Sequence, residues 1–317
     1  MRTRLSALAA IGTLFVFGPG WAADPVAVLT EFRQDQGEVS VKRAGEADWT
    51  RPQPLLALRP GDQVRASGSS RAVLVFTGGR GTLTVTQANS PLSVQAPTGE
   101  SATEKVRGLL GSVTQFLLAQ PKETTYQSLS VRSAPAAAPP LIVSPRETRL
   151  LGGPVTFEWS GSERLRYRLR VMSPDGLQWE QVNLRRQPVE YPASALPLRP
   201  GVRYRWELEA EGHPMQQAQF DLLPAAEAAR VQAALADLQP GALLGFPRNT
   251  VVLMRAGLLL QERLHHDARR ELLAGIAADP DEPALHLLLA RVYEGVGLQE
   301  LAAQAYEEAQ FLSTLKP

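Results

Sequence analysis

Between Gly37 and Val85 the chain alternates short apolar runs with turn residues so regularly that few folds remain open to it. Val39/Val41, Val64, Val73/Val75 and Leu83/Val85 each sit in an alternating run bounded by Gly, Pro, Asp or Ser. Period 2 with such punctuation predicts successive antiparallel strands joined by tight turns. A different period follows. Val106, Leu109, Leu110, Val113, Phe116 and Leu117 fall on one helical face, with Thr103-Glu104 ahead of it and Pro121 beyond it. This predicts a helix covering the open face of the β module, before a last strand near Tyr126 to Val131. A membrane-surface helix would carry a strongly basic polar face, and Lys105 and Arg107 are offset here by Glu100 and Glu104.

The order G-E-V-S-V, then Trp49, then G-D-Q-V and S-R-A-V-L-V-F with a glycine-rich turn resembles the periplasmic FecR domain. The resemblance covers residues 24–133, roughly a third of the chain. It implies an antiparallel β module with one inserted helix and, in FecR-type regulators, a part in signalling across the inner membrane. Those regulators also hold a cytoplasmic segment that engages a sigma factor, which the few residues ahead of the first apolar run do not match.

That apolar run sets the expected location. Arg2 and Arg4 precede Leu5 to Phe17, then a Gly-Pro-Gly break and small residues at Gly20 and Ala22. This is the n-region, h-region and cleavage site of a secretory signal peptide over residues 1–22, cut after Ala22. The run falls short of the roughly 20 apolar residues that span a bilayer, so an inner-membrane signal anchor is the alternative, and no later segment is apolar enough to cross. The expected place is periplasmic or secreted. The chain has no cysteine, which excludes disulfides, thiolate metal sites and thiol nucleophiles. Without Arg2 and Arg4 the mature chain carries 31 basic against 32 acidic residues, too little positive field for nucleic acid. Arginine outnumbers lysine 29 to 4, a composition typical of GC-rich bacterial genomes.

Two further modules follow. Residues 134–140, APAAAPP, read as a stiff extended linker. Residues 141–223 contain the alternating runs Val155/Phe157/Trp159, Leu165/Tyr167/Leu169/Val171 and Tyr204/Trp206/Leu208. In strand pattern they resemble a fibronectin type III or immunoglobulin-like sandwich, the former closer because no cysteine pair is present. Trp159 and Trp206 are expected in one core. Residues 224–317 read as all-helical. An alanine-rich helix over 225–238 ends at Pro240-Gly241. Two units of 34 residues, 249–282 and 283–316, then resemble degenerate tetratricopeptide repeats, aligning Ala268 with Ala302 and Leu259 with Tyr293. The fold class expected is therefore multidomain, mainly β with an all-α C-terminus.

Candidate chemistry is sparse. His265, His266 and Asp267 fall in the connection of the first repeat and, with His286, suggest a metal site. Adjacent residues diverge by about 100° on a helix, whereas a helical site wants i, i+4. Solvated turn histidines are the reading preferred, and His213 in E-G-H-P lies in a turn between strands. Gly78-Gly79-Arg80-Gly81 joins two strands and so reads as a hairpin turn, not a phosphate loop. Ser67-Gly68-Ser69-Ser70 is likewise a turn. Asp62 and Glu158 are the carboxylates an enzyme acting on wall glycans would use, about 5–10 Å apart in a cleft. Asp62 reads more simply as a turn residue, and Glu158 as a solvent-facing position on its strand. No nucleophile, Walker or H-E-x-x-H motif is present.

Period 2 places Arg164, Arg166, Arg168 and Arg170 on one strand face, a guanidinium stripe suited to an anionic glycan or lipid phosphate. Glu207, Glu209 and Glu211 share a face on a strand expected alongside, so a structural charge ladder is the competing reading. The function expected is non-enzymatic: an envelope scaffold that binds envelope proteins, or cell-wall polymer, without a cofactor. The alternative is a periplasmic sensory module of a FecR-type system.

Overall fold

A computed structural model describes residues 24–77, 81–95, 104–119, 139–243 and 245–314. The signal peptide, the strand near Tyr126 to Val131 and residues 134–138 of the linker lie outside the described residues. Mainly antiparallel β-strands supply most of the regular structure of the described N-terminal two thirds, and helices dominate the C-terminus.

The alternating runs of the first module form β2 (Val39–Lys42), β4 (Gln63–Ala66), β5 (Arg71–Phe76) and β6 (Thr82–Val85). They do not form one meander as expected. Two further strands, β1 (Ala27–Arg33) and β3 (Leu56–Leu58), draw β5 and β6 into a sheet of order β3-β1-β5-β6. β2 and β4 join β7 (Leu92–Ser93) in a second sheet. Leu29, Leu58 and Leu74 of one sheet and Val39, Val41 and Val64 of the other close a shared core. At its edge, Gly37 lies against the 67–70 turn so closely that an added Cβ would stand 2.0 Å from the Ser67 carbonyl oxygen. Only glycine fits that approach.

β1 is buried on both faces, and a bulge sets what each face carries. The register with β5 slips between Leu29 and Glu31, leaving Thr30 as the extra residue. Without that slip Glu31 would point with Leu29 into the β core; with it, Glu31 turns toward the helices while Phe32 returns to the core.

The helix α1 (Glu104–Ala119) packs its apolar stripe on Val28 and Val75 of this sheet and also on the C-terminal helices. It thus joins two parts of the chain, beyond the expected role of a lid on one.

In the second module β8 (Leu141–Ser144), β10 (Thr156–Ser160) and β13 (Val189–Glu190) form one sheet. The other has order β12-β11-β14-β15-β9, from β9 (Thr148–Leu150), β11 (Tyr167–Ser173), β12 (Gly176–Leu184), β14 (Arg203–Ala210) and β15 (Gln216–Leu222). Phe157, Trp159, Tyr167, Tyr204, Trp206 and Phe220 fill the space between the sheets. Their polar ends are satisfied: Trp206 Nε1 donates to the Pro145 carbonyl at 2.7 Å, and Tyr167 Oη to that of Ser162 at 2.9 Å.

The C-terminus is helical throughout its regular structure: α2 (Ala225–Asp237), α3 (Arg248–Gln261), α4 (His265–Ala278), α5 (Pro283–Gly295) and α6 (Gln299–Thr314). α3/α4 and α5/α6 are two helical hairpins, with Ala268 and Ala302 fully buried. One apolar cluster runs through these helices to α1, to Val28 and Val75, and to Leu141 and Val143 on the outward side of β8. Among the described residues, no helix is long and apolar enough to cross a membrane.

Candidate functional site

The arginine row divides in two. β11 begins at Tyr167, so Arg164 and Arg166 lie ahead of it in an exposed turn. That turn is closed by the Leu165 N–H donating to the Ser162 carbonyl at 3.1 Å. Arg168 and Arg170 are on the strand, opposite Glu209 and Glu207 of β14. Arg170 Nη2 lies 3.1 Å from Glu207 and also pairs with Glu209, while Arg168 reaches Glu209 at 3.7 Å and Glu180 at 3.8 Å. Glu211 is past the end of β14 and takes no part in the ladder. Two of the four guanidinium groups are thus matched by carboxylates across the sheet, which leaves little unopposed positive field there.

Asp62 closes a turn. Its carboxylate accepts from the backbone N–H of Arg59 and of Ala44, both at 2.9 Å, and from Arg43 at 2.8 Å. Burial works to raise its pKa, but these hydrogen bonds outweigh burial and hold the carboxyl below its ordinary range.

Glu158 is not on a solvent-facing position. Arg269 of α4 reaches the outer side of β10 and donates to both Glu158 oxygens at 3.0 and 2.9 Å, which leaves the Glu158 side chain 26% exposed. Arg269 also contacts Tyr293 of α5, Nε to Oη at 3.3 Å.

His265, His266 and Asp267 form the first turn of α4 and are not solvated connection residues. His266 is buried, with Nδ1 2.7 Å from Ser144 Oγ of β8. Burial, with Arg270 nearby, lowers its pKa to about 4. Asp267 accepts from the Leu151 N–H at 3.3 Å, and burial raises its carboxyl to about 6. His286 is on α5, its Nε2 2.8 Å from the Pro280 carbonyl oxygen. Among the described residues no three His, Asp or Glu side chains converge in a way that would hold a metal ion. The void between Ser144, His266, Arg269 and Tyr293 is about the size of one water molecule.

A second polar junction escaped the sequence reading. The backbone N–H and hydroxyl of Thr250, in the first turn of α3, both donate to Glu31 Oε1. Thr30 Oγ1 lies 3.0 Å from the Thr250 hydroxyl. Arg33 and Asn249 both donate to Asp279, which follows α4. Glu282 caps α5, accepting from the Ala284 N–H at 3.3 Å through Oε1, while its buried Oε2 has no hydrogen-bond partner among the described residues. Burial raises Glu31 despite the Thr250 hydrogen bonds, and it raises Glu282 well above the ordinary carboxylate range, with Glu31 adding repulsion. Burial works on Asp279 in the same direction, but Arg33 and Asn249 hold it low. The signal available was Glu31 itself, an acid inside the run V-A-V-L-T-E-F.

No family model and no curated protein matches this chain.

Proposed function

We propose that this chain is a non-enzymatic interaction scaffold of the bacterial cell envelope, binding protein partners or wall polymer through a FecR-like β module, a fibronectin type III-like sandwich and tetratricopeptide-like helices. One observation carries the reading. The side chains with the most chemical capacity are used to fix one module against another: Glu158 by Arg269, His266 by Ser144, Glu31 by Thr250 and Asp279 by Arg33. Among the described residues the void beside His266 and Arg269 is about the size of one water molecule, and the pairs these groups make hold helices and sheets in a fixed mutual arrangement. Such an arrangement suits a recognition surface, because a pre-ordered binder loses less entropy on association. The exposed Phe311 on α6 and Leu177 on β12 are apolar surface points at opposite modules of this frame.

In-cell crosslinking of a tagged chain, with recovery of the envelope fraction, tests the proposal. Capture of a defined protein through residues 249–314 supports it. Capture of an inner-membrane signalling protein through residues 24–119 moves the reading to a sensory module, and recovery with wall polymer alone directs attention to Arg164 and Arg166. Isolation with no partner of any kind overturns it.

A further inference from the structure

Most arginines of the sandwich are matched by a carboxylate. Arg149, Arg168, Arg170, Arg199, Arg203 and Arg205 each pair with an aspartate or glutamate. Arg146 donates to the Val296 carbonyl at 2.9 Å. The remaining arginines between Leu141 and Leu223 are Arg164, Arg166, Arg185 and Arg186. All four are exposed, and among the described residues none of them forms an ion pair.

Strand register brings the four to one end of the sandwich. Tyr167 at the start of β11 pairs with Leu184 at the end of β12, so Arg166 leads into one strand where Arg185 leaves the other. Paired residues stand about 5.5 Å apart or less and successive ones about 3.8 Å, so the Cα atoms of Arg166 and Arg185 are at most about 13 Å apart. Both loops are anchored. In the first, the Ser162 carbonyl accepts from the Leu165 N–H at 3.1 Å and from Tyr167 Oη at 2.9 Å, and Ser162 Oγ accepts from the Arg164 N–H at 3.2 Å. Leu165, between the two arginines, packs against the aromatic core. In the second, Leu184 is buried just ahead of Arg185, and the Gln187 side chain just after Arg186 accepts from the Trp159 N–H at 2.7 Å. Four like charges on fixed backbone repel one another. The sandwich does not need them, since Leu165, Leu184 and Gln187 supply the anchors.

We propose that Arg164, Arg166, Arg185 and Arg186 form a binding site for an acidic polymer, one whose phosphate or carboxylate groups repeat along its chain. This rests on the scaffold reading above and names the surface through which wall polymer would be held. A guanidinium grips either oxyanion with two parallel N–H donors. A chain of such groups engages both loops at once, and the second contact then forms at high effective concentration. A lipid surface suits the site less. Glu163 in the first loop and Glu211, next to the Ala210 that pairs with Tyr167, share this end of the sandwich, and a negative bilayer would press on both.

Calorimetric titration of the purified full-length chain tests the site, with long-chain inorganic polyphosphate and polygalacturonate as probes. At least one should bind, and the one that does names the oxyanion. Arg166→Gln with Arg185→Gln should weaken binding about tenfold or more and flatten its dependence on salt. Arg248→Gln with Arg270→Gln removes the same charge from exposed positions on α3 and α4 and should change binding less than about twofold. Inorganic phosphate should displace the polymer only at about a hundredfold higher concentration. Surface substitutions of this kind leave the melt nearly unchanged, so a lost signal is lost binding. Binding of neither polymer overturns the proposal, as does an equal loss in the two double variants, which marks a diffuse charge effect. Binding to phosphatidylglycerol vesicles with neither polymer bound also overturns it, since the anion is then a lipid headgroup. A chain that captures a protein in cells yet binds neither probe loses this site alone. One that binds through these arginines but leaves the cell with no partner keeps the site and loses the scaffold reading.

Discussion

Arg269 on α4 grips Glu158 on β10 with both arms of its guanidinium, at 3.0 and 2.9 Å, and so couples the helices to the outer side of the sandwich. Arg269 is 8% exposed, so either partner left alone keeps a poorly solvated charge. Replacing Glu158 by Gln or Arg269 by Met should each cost about 2–4 kcal/mol, and the double variant should cost less than the sum. Urea denaturation of the four chains closes the cycle. Additive losses would show that the two groups do not depend on each other.

The junction of Glu31 and Glu282 makes stability depend on pH in a direction opposite to that of ordinary paired carboxylates. Both carboxyls are raised in the folded chain by burial, with Asp279 adding repulsion, and the positive charges of Arg71 beside Glu31 and Arg33 beside Glu282 do not reverse this. The folded state therefore binds more protons than the unfolded state above the ordinary glutamate range. The contribution is fully favourable below about pH 4 and is lost as pH rises through the raised folded values. Glu282→Gln keeps an acceptor for the Ala284 N–H and removes the ionisation. Relative to the parent, that variant should gain stability as pH rises from about 4 to 8, by about 1.4 kcal/mol for each unit of the upward shift. His266 acts in the other sense: its pKa of about 4 means that its share is lost as pH falls from its ordinary range near 6.5 toward 4. Thermal melts across this range, in parent and Glu282→Gln chains, separate the two. A constant difference between the chains would remove Glu282 as the origin.

Trp159 and Trp206 are 1% and 0% exposed and share one core. Acrylamide should quench the half-buried Trp49 and Trp179 while leaving a protected, blue-shifted fraction. Trp206→Phe loses the hydrogen bond to the Pro145 carbonyl and should cost about 1–2 kcal/mol, whereas Trp206→Ala should cost about 3–5 kcal/mol. Complete quenching of the native chain would contradict this core.

What the sequence made legible follows from what each residue faces. β2, β4, β5 and β6 announce themselves through short apolar runs set off by turn residues, and the two C-terminal helical hairpins through the 34-residue spacing that aligns Ala268 with Ala302. β1 does not, because it is buried on both faces and the bulge at Thr30 breaks its period. Alternation correctly assigned Glu158 to the outer side of β10, but periodicity does not say what reaches a face, and Arg269 of α4 reaches this one. The start of α4 was hidden for a local reason: Leu264 occupies the N-cap and makes no side-chain cap hydrogen bond, so the Ser, Thr, Asp or Asn that would mark the boundary is missing. His266 was accordingly placed in a connection. Arg164 and Arg166 were misplaced because R-L-R continues the alternation of β11 backwards into a turn, where it has no structural meaning.

The helical hairpins offer the sharpest check of how the C-terminal helices pack. Ala268 on α4 and Ala302 on α6 stand 34 residues apart and are both fully buried. Gly275, further along α4, shows how tight the packing is: a Cβ there would lie 3.0 Å from Val252 of α3 and 3.3 Å from Leu285 of α5. Ala268→Leu and Ala302→Leu should each destabilise the helices by about 1–3 kcal/mol through overpacking. Ala268 stands two residues after His266, which contacts Ser144 of β8, so its replacement should also weaken the sandwich–helix junction, whereas Ala302→Leu should act on the α5/α6 hairpin alone. Far-ultraviolet melts combined with Trp206 emission, which reports the sandwich core, distinguish the two. Ala268→Leu should lower both transitions, and Ala302→Leu chiefly the helical one. Unchanged melts in both variants would mean that these alanines are not where α4 and α6 meet their neighbours.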